Sequence, residues 1–249
     1  MNEFAERIAV KYRLENHLYT LPLRFEDICE LIRKEKYDII SYDEIRELDS
    51  PAIFAFATYG QQDAYTITDG ENRIVCYNNH LPYEERNFAL AHELGHIILR
   101  HTSAGIRGKS NYHPTPWYDE DEDKDAQEQE ADNFALGLLA PSCVLGFIFP
   151  DNFPPKGELS SLSMIPLRYI DDAYSYAASL RFSGRSKLGA DEQKLLYHYC
   201  IDQGIEPYEK MIDPNKKQSF LSTPVGRLIT SCFSLAAGIA MILYAIITL

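Results

Sequence analysis

Two histidines and a glutamate lie close together in the pattern His92-Glu93-x-x-His96. On a helix, His92 and His96 are one turn apart on the same face, so both imidazoles can reach one metal ion. Zinc takes such nitrogen ligands at about 2.0–2.1 Å, and a catalytic zinc site keeps one position for water. The carboxylate of Glu93 can act as a general base toward that water. The pattern therefore predicts a Zn²⁺ site for peptide-bond hydrolysis, with Glu93 as the catalytic residue.

The segment around this pattern predicts a helix over residues 84–101 that is otherwise mostly apolar near the motif. Burying histidine and glutamate costs free energy unless these side chains have partners, which favours a metal site over two ordinary core histidines. Gly95 also costs a helix about 1 kcal/mol relative to alanine. A close approach of another segment at Gly95 would explain this glycine.

A third protein ligand is expected on the next predicted helix, which covers residues 125–139. Glu128 and Asp132 share one face of that helix, whereas Glu130 lies about 200° around it from Glu128. The apolar face lies nearer Glu128, so we predict Glu128 as the metal ligand and keep Glu130 as the alternative. Asp132, one turn beyond Glu128, is predicted to accept a hydrogen bond from a ligating histidine.

These motifs resemble the ImmA/IrrE metallopeptidases. The resemblance is carried by residues 90–99, 130–135 and 138–141, with a lead-in over 74–79 and 86–89. It implies a zincin-like core, a zinc-binding glutamate on the second motif helix, and cleavage of helix-turn-helix repressors as the family's habit. An acidic insertion before Glu128 and an apolar tail depart from the family pattern.

Composition limits the classes of partner. The chain has 249 residues, 45% of them apolar, which allows a sizeable core. Its formal net charge of -13 argues against direct nucleic-acid binding, which needs clustered Lys and Arg. Five scattered cysteines without a C-x-x-C pair argue for a reducing compartment. The charged segment 1–17 lacks the apolar run of a secretory signal peptide.

The segment 228–249 contains no charged side chain. As a helix it would be about 33 Å long, close to the ~30 Å hydrocarbon thickness of a bilayer. Lys216, Lys217 and Arg227 precede it, and positive charge favours the cytoplasmic side. The sequence therefore predicts a single-pass membrane protein with its catalytic domain in the cytoplasm. A buried core helix is the less favoured interpretation of this segment.

The predicted fold class is α+β: a zincin-like metallopeptidase domain with a small β-sheet and an active-site helix, plus a C-terminal transmembrane helix. The predicted domains are residues 1–185 for the metallopeptidase, 186–224 for a helical extension, and 225–249 for the tail anchor. The remaining predicted elements are helices over 2–17, 24–35, 166–182 and 191–203, a strand over 38–45, a hairpin over 64–68 and 73–77, and a long polar loop over 102–125.

Two functions from different classes fit this pattern. The first is a zinc-dependent endopeptidase whose substrate is a helix-turn-helix repressor. The alternative is a non-catalytic module whose metal site holds the fold while the domain recruits a regulatory partner at the membrane. Glu93 favours the enzyme, because a purely structural site needs no carboxylate beside an open position. His101 and His113 could line the site, although such histidines are more often ordinary surface or hydrogen-bonded residues.

Overall fold

The computed structural model of the chain describes residues 3–47, 62–69, 72–101, 105–108, 121–150, 152–183 and 188–207. All of them fall within the unit Met1–Met211. Their elements in chain order are α1 (Glu3–Glu15), α2 (Phe25–Lys34), β1 (Asp38–Ser41), α3 (Tyr42–Glu47), β2 (Ala64–Asp69), β3 (Asn72–Tyr77), α4 (Tyr83–Ile98), β4 (Gly105–Gly108), α5 (Asp121–Leu139), α6 (Ser142–Ile148), α7 (Lys156–Ser163), a 3₁₀ turn (Leu167–Tyr169), α8 (Ile170–Ser183) and α9 (Ala190–Asp202).

The described strands form one mixed sheet in the order β1-β3-β2-β4. β2 and β3 pair antiparallel with Thr66 opposite Val75, which confirms the predicted hairpin strands. β1 is parallel to β3, and β4 is antiparallel to β2. Because side chains alternate along a strand, Thr66 and Val75 share one face. Tyr65 and Cys76 lie on the other face and pack with Tyr42 of α3 in a small apolar cluster.

The strand predicted over residues 38–45 is wrong beyond Ser41, because α3 begins at the next residue. The backbone N–H of Ser41 donates to Glu44 Oε2 at 2.7 Å, and the N–H of Glu44 donates to Ser41 Oγ at 3.3 Å. This reciprocal pair is a capping box, which stabilises the start of a helix. The S-x-x-E pattern therefore outweighs the strand propensity of the segment, and α3 buries Ile45 against the sheet.

The long polar loop predicted over residues 102–125 is wrong where the structure describes this region. Residues 105–108 form the strand β4, which pairs with β2. The two glycines of this segment and its lack of apolar/polar alternation do not predict a strand, so the pairing with β2 determines it. Residues 121–125 already belong to α5. His113 lies outside the described residues.

No helix is predicted between residues 142 and 163, yet α6 and α7 form there. Each begins directly after a proline, Pro141 for α6 and Pro155 for α7. Proline suits such a position, since the first residues of a helix have no intrahelical acceptor for an N–H group. Pro141 therefore separates two helices, α5 and α6, instead of only ending one.

The helix α5 packs against α4 on one side and α1 on another. A Cβ atom added to Gly137 of α5 would lie 3.0 Å from Glu6 Cα and 3.1 Å from Ala9 Cβ, so α1 crosses α5 at this glycine.

Arg13 of α1 is fully buried and donates to the carbonyl oxygens of Leu138 at 2.5 Å and Thr20 at 2.6 Å. A cation at the carboxyl end of a helix interacts favourably with the helix dipole. Burial lowers the pKa of Arg13 to about 10, so it stays charged at neutral pH.

The interior also holds Cys29, Cys76, Cys143 and Cys200, all as thiols and not in disulfides. Burial raises the pKa of Cys29 to about 11 and that of Cys76 to about 12. Thiols are nucleophiles and metal ligands only as thiolates. These two side chains are therefore unreactive at neutral pH.

The domain boundary predicted at residue 185 lies inside the unit Met1–Met211. The reason is that α9 packs against α1 and α6, and buries Leu195 and Tyr199 in a cluster with Val10.

Among the described residues, no single helix is long and apolar enough to cross a bilayer. The bent pair of residues 126–139 and 142–148 meets that requirement only jointly, with an angle of 42° between its helices. The predicted span at residues 228–249 lies outside the described residues.

Candidate metal centre

The helix α4 carries both histidines of the motif into the interior. It starts with Glu84 and Glu85 in its first turn, where carboxylates interact favourably with the helix dipole. Further along, the helix is buried between the sheet, α2 and α5. His92 and His96 are 0% and 1% exposed, and their Nε2 atoms are 3.0 Å apart. The helical spacing thus directs both nitrogens toward one point, as the sequence predicts.

The helix α5 crosses α4 at Gly95. A Cβ atom added there would lie 3.1 Å from the carbonyl oxygen of Ala131 and 3.2 Å from both Ala131 Cα and Phe134 Cδ1. This close approach accounts for a glycine inside α4 in the way that the sequence suggests. It also places Glu128, about one turn before Ala131, beside the histidines. Glu128 Oε2 is 3.2 Å from His92 Nε2, and Oε1 is 3.3 Å from His96 Nε2.

The geometry of the three side chains fits a tetrahedral metal ion. Ligands at about 2.0–2.2 Å with tetrahedral angles lie about 3.3–3.6 Å from one another. His92 Nε2 and His96 Nε2 are 3.0 Å apart, and each lies close to a different oxygen of Glu128, at 3.2 Å to Oε2 for His92 and 3.3 Å to Oε1 for His96. The group His92, His96 and Glu128 could therefore hold a metal ion. Two neutral imidazoles and one carboxylate form a donor set typical of zinc.

The protonation states favour metal binding. Burial lowers the pKa of His96 to about 4, so its imidazole is neutral above that pH. Burial alone would raise the pKa of Glu128, but hydrogen bonds and charge interactions with His92 and His96 hold that pKa well below its usual value. A metal ion binds neutral imidazole and ionised carboxylate. The charges of His96 and Glu128 at neutral pH are thus those that a metal ion requires.

Substituting Gly95 tests how the close contact between α4 and α5 supports the site. In Gly95→Ala, overpacking against backbone atoms of Ala131 should cost about 1–3 kcal/mol and exceed the ~1 kcal/mol gained in helix propensity. We expect the midpoint of thermal unfolding to fall by a few degrees and zinc to bind several times more weakly, because α5 carries Glu128. Thermal denaturation and zinc titration measure these two effects.

The matched control is Gly157→Ala in α7, where an added Cβ atom meets no atom within 4 Å. This variant should be neutral or more stable by up to about 1 kcal/mol. If Gly95→Ala proves as stable as Gly157→Ala and binds zinc like the wild type, the close contact does not position Glu128.

The two other acidic residues of the motif on α5 contact different histidines. Asp132 Oδ1 is 2.7 Å from His92 Nδ1, on the side of the ring opposite Nε2. Glu130 points elsewhere, with its Oε2 3.1 Å from His101 Nε2. The helix thus directs Glu128 and Asp132 toward His92, whereas Glu130 is not part of the group of described residues that could hold a metal ion. The roles of these residues in metal binding stay predictions.

Glu93 is fully buried and faces the sheet. Thr66 of β2 donates a hydrogen bond from its Oγ1 to Glu93 Oε2 at 2.6 Å. Sequence reasoning does not identify Thr66, because one threonine in a β-rich run is ordinary. The useful signal is the period-2 alternation, which puts Thr66 on the same face as Val75 and hence toward the helices.

His101 is a second residue that sequence reasoning leaves undecided. It is 8% exposed, and its Nδ1 lies 3.1 Å from His96 Nδ1. His101 therefore contacts a histidine of the motif on one side and Glu130 on the other.

Comparison with known proteins gives one relation. Residues 53–150 match the family model Peptidase_M78, described as the IrrE N-terminal-like domain. No curated protein and no solved structure matches significantly. The matched segment contains both motifs and the group His92, His96 and Glu128. This match therefore supports the resemblance to the ImmA/IrrE family, and with it a metallopeptidase-type domain.

Proposed function

We propose that this protein is a zinc-dependent endopeptidase in which His92, His96 and Glu128 bind Zn²⁺ and Glu93 is the general base. The observation that carries the proposal is the convergence of three donor side chains within 3.0–3.3 Å, next in sequence to a buried carboxylate. The match of residues 53–150 to a metallopeptidase family supports the same chemistry.

Each residue has a distinct task in this proposal. Zinc, when bound, lowers the pKa of a coordinated water and polarises the scissile carbonyl. As water adds to the scissile carbonyl carbon, Glu93 would take its proton and deliver it to the amine that leaves when the C–N bond breaks. Thr66 holds one oxygen of Glu93 through the 2.6 Å hydrogen bond and so fixes the orientation of the carboxylate. Asp132 accepts a hydrogen bond from His92 Nδ1–H, which keeps Nε2 free for the metal.

The proposed substrate is a helix-turn-helix repressor, as the resemblance to the ImmA/IrrE family implies. A protein substrate also agrees with the net charge of -13, which disfavours binding to DNA. In this view the protein acts on the repressor itself and does not contact nucleic acid directly.

Metal removal tests the proposed activity. Purified full-length protein is incubated with a proteome-derived peptide library, and mass spectrometry identifies newly formed peptide ends. We expect cleavage to stop with 1,10-phenanthroline and to return after dialysis and addition of one equivalent of Zn²⁺. If cleavage persists in the chelator, zinc is not required. If zinc binds and the library and a repressor encoded by the neighbouring gene both stay intact, the non-catalytic binding module becomes the better interpretation.

We also propose that residues 228–249 hold the protein in a membrane with its catalytic domain in the cytoplasm. The support is the uncharged segment itself and the preceding Lys216, Lys217 and Arg227. Deletion of residues 225–249 should move the protein from the membrane fraction to the soluble fraction of cells that express it. Ala237→Arg in the full-length chain is a matched variant that should also shift the protein toward the soluble fraction. A charge at the centre of a membrane-spanning helix raises the free energy of insertion by about 2.5–3.5 kcal/mol. Equal partitioning of the full-length and shortened chains would refute the anchor.

A further inference from the structure

The carboxyl end of α4 has a backbone geometry that fixes the position of His101. The N–H of His101 donates to the carbonyl of His96 at 2.9 Å, and the N–H of Arg100 donates to that of Ile97 at 3.2 Å. Arg100 has φ of 61°, in the left-handed region. These features define a Schellman motif, in which the second residue beyond the helix cap lies beside the third residue from the helix end. The motif thus brings His101 back onto His96.

The left-handed residue in such a motif is most often glycine, because a side chain is unfavourable there by about 1–2 kcal/mol. Here the residue is Arg100, so the chain adopts this conformation at a cost. The usual side-chain contact of a Schellman motif is apolar. In this protein the contact joins two imidazoles, with ring centroids 5.3 Å apart and an angle of 67° between the ring planes.

The hydrogen-bond partners determine which nitrogen atoms carry protons. If His96 Nε2 binds the metal, its Nδ1 must carry the proton and donate to His101 Nδ1, at 3.1 Å. His101 Nε2 then carries the other proton and donates to Glu130 Oε2, also at 3.1 Å. The chain of contacts ends on a carboxylate, which is the group that commonly orients a metal-binding histidine.

We propose that His101 is a positioning residue for His96, and that Glu130 acts on the metal centre through His101. This inference rests on the proposed zinc site. The two zinc-binding histidines then have different supports from the same helix, α5. His92 contacts Asp132 directly, at 2.7 Å, whereas His96 reaches Glu130 through the intervening imidazole. The inference assigns Glu130, the residue kept as an alternative ligand, a role that needs no contact with the metal.

Zinc affinity of the full-length protein tests the inference without any substrate. Competition with a chromophoric chelator gives the zinc dissociation constant of the wild type, His101→Leu, Glu130→Ala and the double variant. His101→Leu should weaken zinc binding about 10- to 100-fold, the usual effect of removing a partner of a metal ligand. Glu130→Ala should weaken it less than His101→Leu does. In the His101→Leu background, Glu130→Ala should not change the zinc dissociation constant further, because the imidazole that joins Glu130 to His96 is already absent.

Conservative replacements separate positioning from simple packing. In His101→Asn the carboxamide can take the place of Nδ1 and accept from His96, so we expect zinc affinity close to that of the wild type. In His101→Gln the carboxamide reaches the place of Nε2 and contacts Glu130 instead, so affinity should fall as in His101→Leu. This polar pair also decides the question if His101→Leu does not fold. Gln129→Ala, at an exposed site on α5, is the control.

The absorption spectrum of the Co²⁺-substituted protein is a second measurement, because its d–d bands report ligand geometry. These bands should shift in His101→Gln and remain in His101→Asn. Zinc affinities of His101→Leu and His101→Gln within twofold of the wild type would overturn the inference, as would equal effects of Glu130→Ala in both backgrounds. Failure of the wild type itself to bind zinc would instead refute the proposed function.

Discussion

Glu93→Gln should lower the rate of peptide-bond cleavage about 100- to 10,000-fold, the range that a positioned general base contributes. Glutamine has nearly the same shape as glutamate, and its amide oxygen can still accept the hydrogen bond from Thr66 Oγ1. It cannot take a proton from water. The measurement is the initial rate of formation of new peptide ends, at equal zinc content for the variant and the wild type.

The control for this substitution is Glu84→Gln, the same chemical change in the first turn of α4. It should leave the rate and the zinc content unchanged. Glu93→Gln should also retain one bound zinc and an unchanged midpoint of thermal unfolding, because Glu93 is not among the three donor residues. A Glu93→Gln variant that cleaves at the wild-type rate would remove Glu93 from the mechanism.

Glu128→Ala should have the largest effect on metal binding, with a zinc dissociation constant raised by more than about 100-fold. Loss of a direct ligand costs at least as much as loss of a partner of a ligand, which costs about 10- to 100-fold. Glu128 is also the only acidic residue of the three-donor group, so its loss leaves two neutral imidazoles. We expect Asp132→Ala to weaken binding about 10- to 100-fold and Glu130→Ala the least.

Zinc titration of the three variants under identical conditions decides the order. Glu128 is the zinc ligand that we predict from helix geometry, and Glu130 is the alternative. If Glu130→Ala binds zinc most weakly of the three, that assignment is reversed. If Glu128→Ala binds zinc as the wild type does, the metal centre is not where His92 and His96 meet α5.

The parts of the fold that the sequence predicts are those in which local pattern and final packing agree. Apolar spacing predicts α1, α2, α4 and α5, and alternation around the Asp69-Gly70 dipeptide predicts the β2–β3 pair. Helix geometry also predicts that Glu128 and Asp132 share one face of α5 and that Glu130 lies on another. In the structure Glu128 and Asp132 contact His92 and Glu130 contacts His101, while the choice of metal ligand stays a prediction.

Other features depend on contacts between segments distant in the chain, which local pattern does not contain. The hydrogen bond from Thr66 to Glu93 joins a strand to a helix, and β4 becomes a strand because β2 is available as a partner. The position of His101 depends on a left-handed residue that is not glycine. The start of α3 is different, because the S-x-x-E pattern at Ser41 was present as a local signal.

The contacts of α1 with α5 have a consequence for where an independently folding fragment can begin. The segment that matches the IrrE N-terminal-like domain starts at residue 53, so α1 lies outside it. Yet α1 supplies Ala9 at the crossing near Gly137 and Arg13 at the last turn of α5. A fragment of residues 53–150 would contain both motifs but lack the α1 side chains that cover this side of α5, among them Tyr12, whose ring centroid is 6.1 Å from that of Phe134. The cooperative unit is therefore larger than the region of family similarity, and α5, which carries Glu128, depends for its stability on residues outside that region.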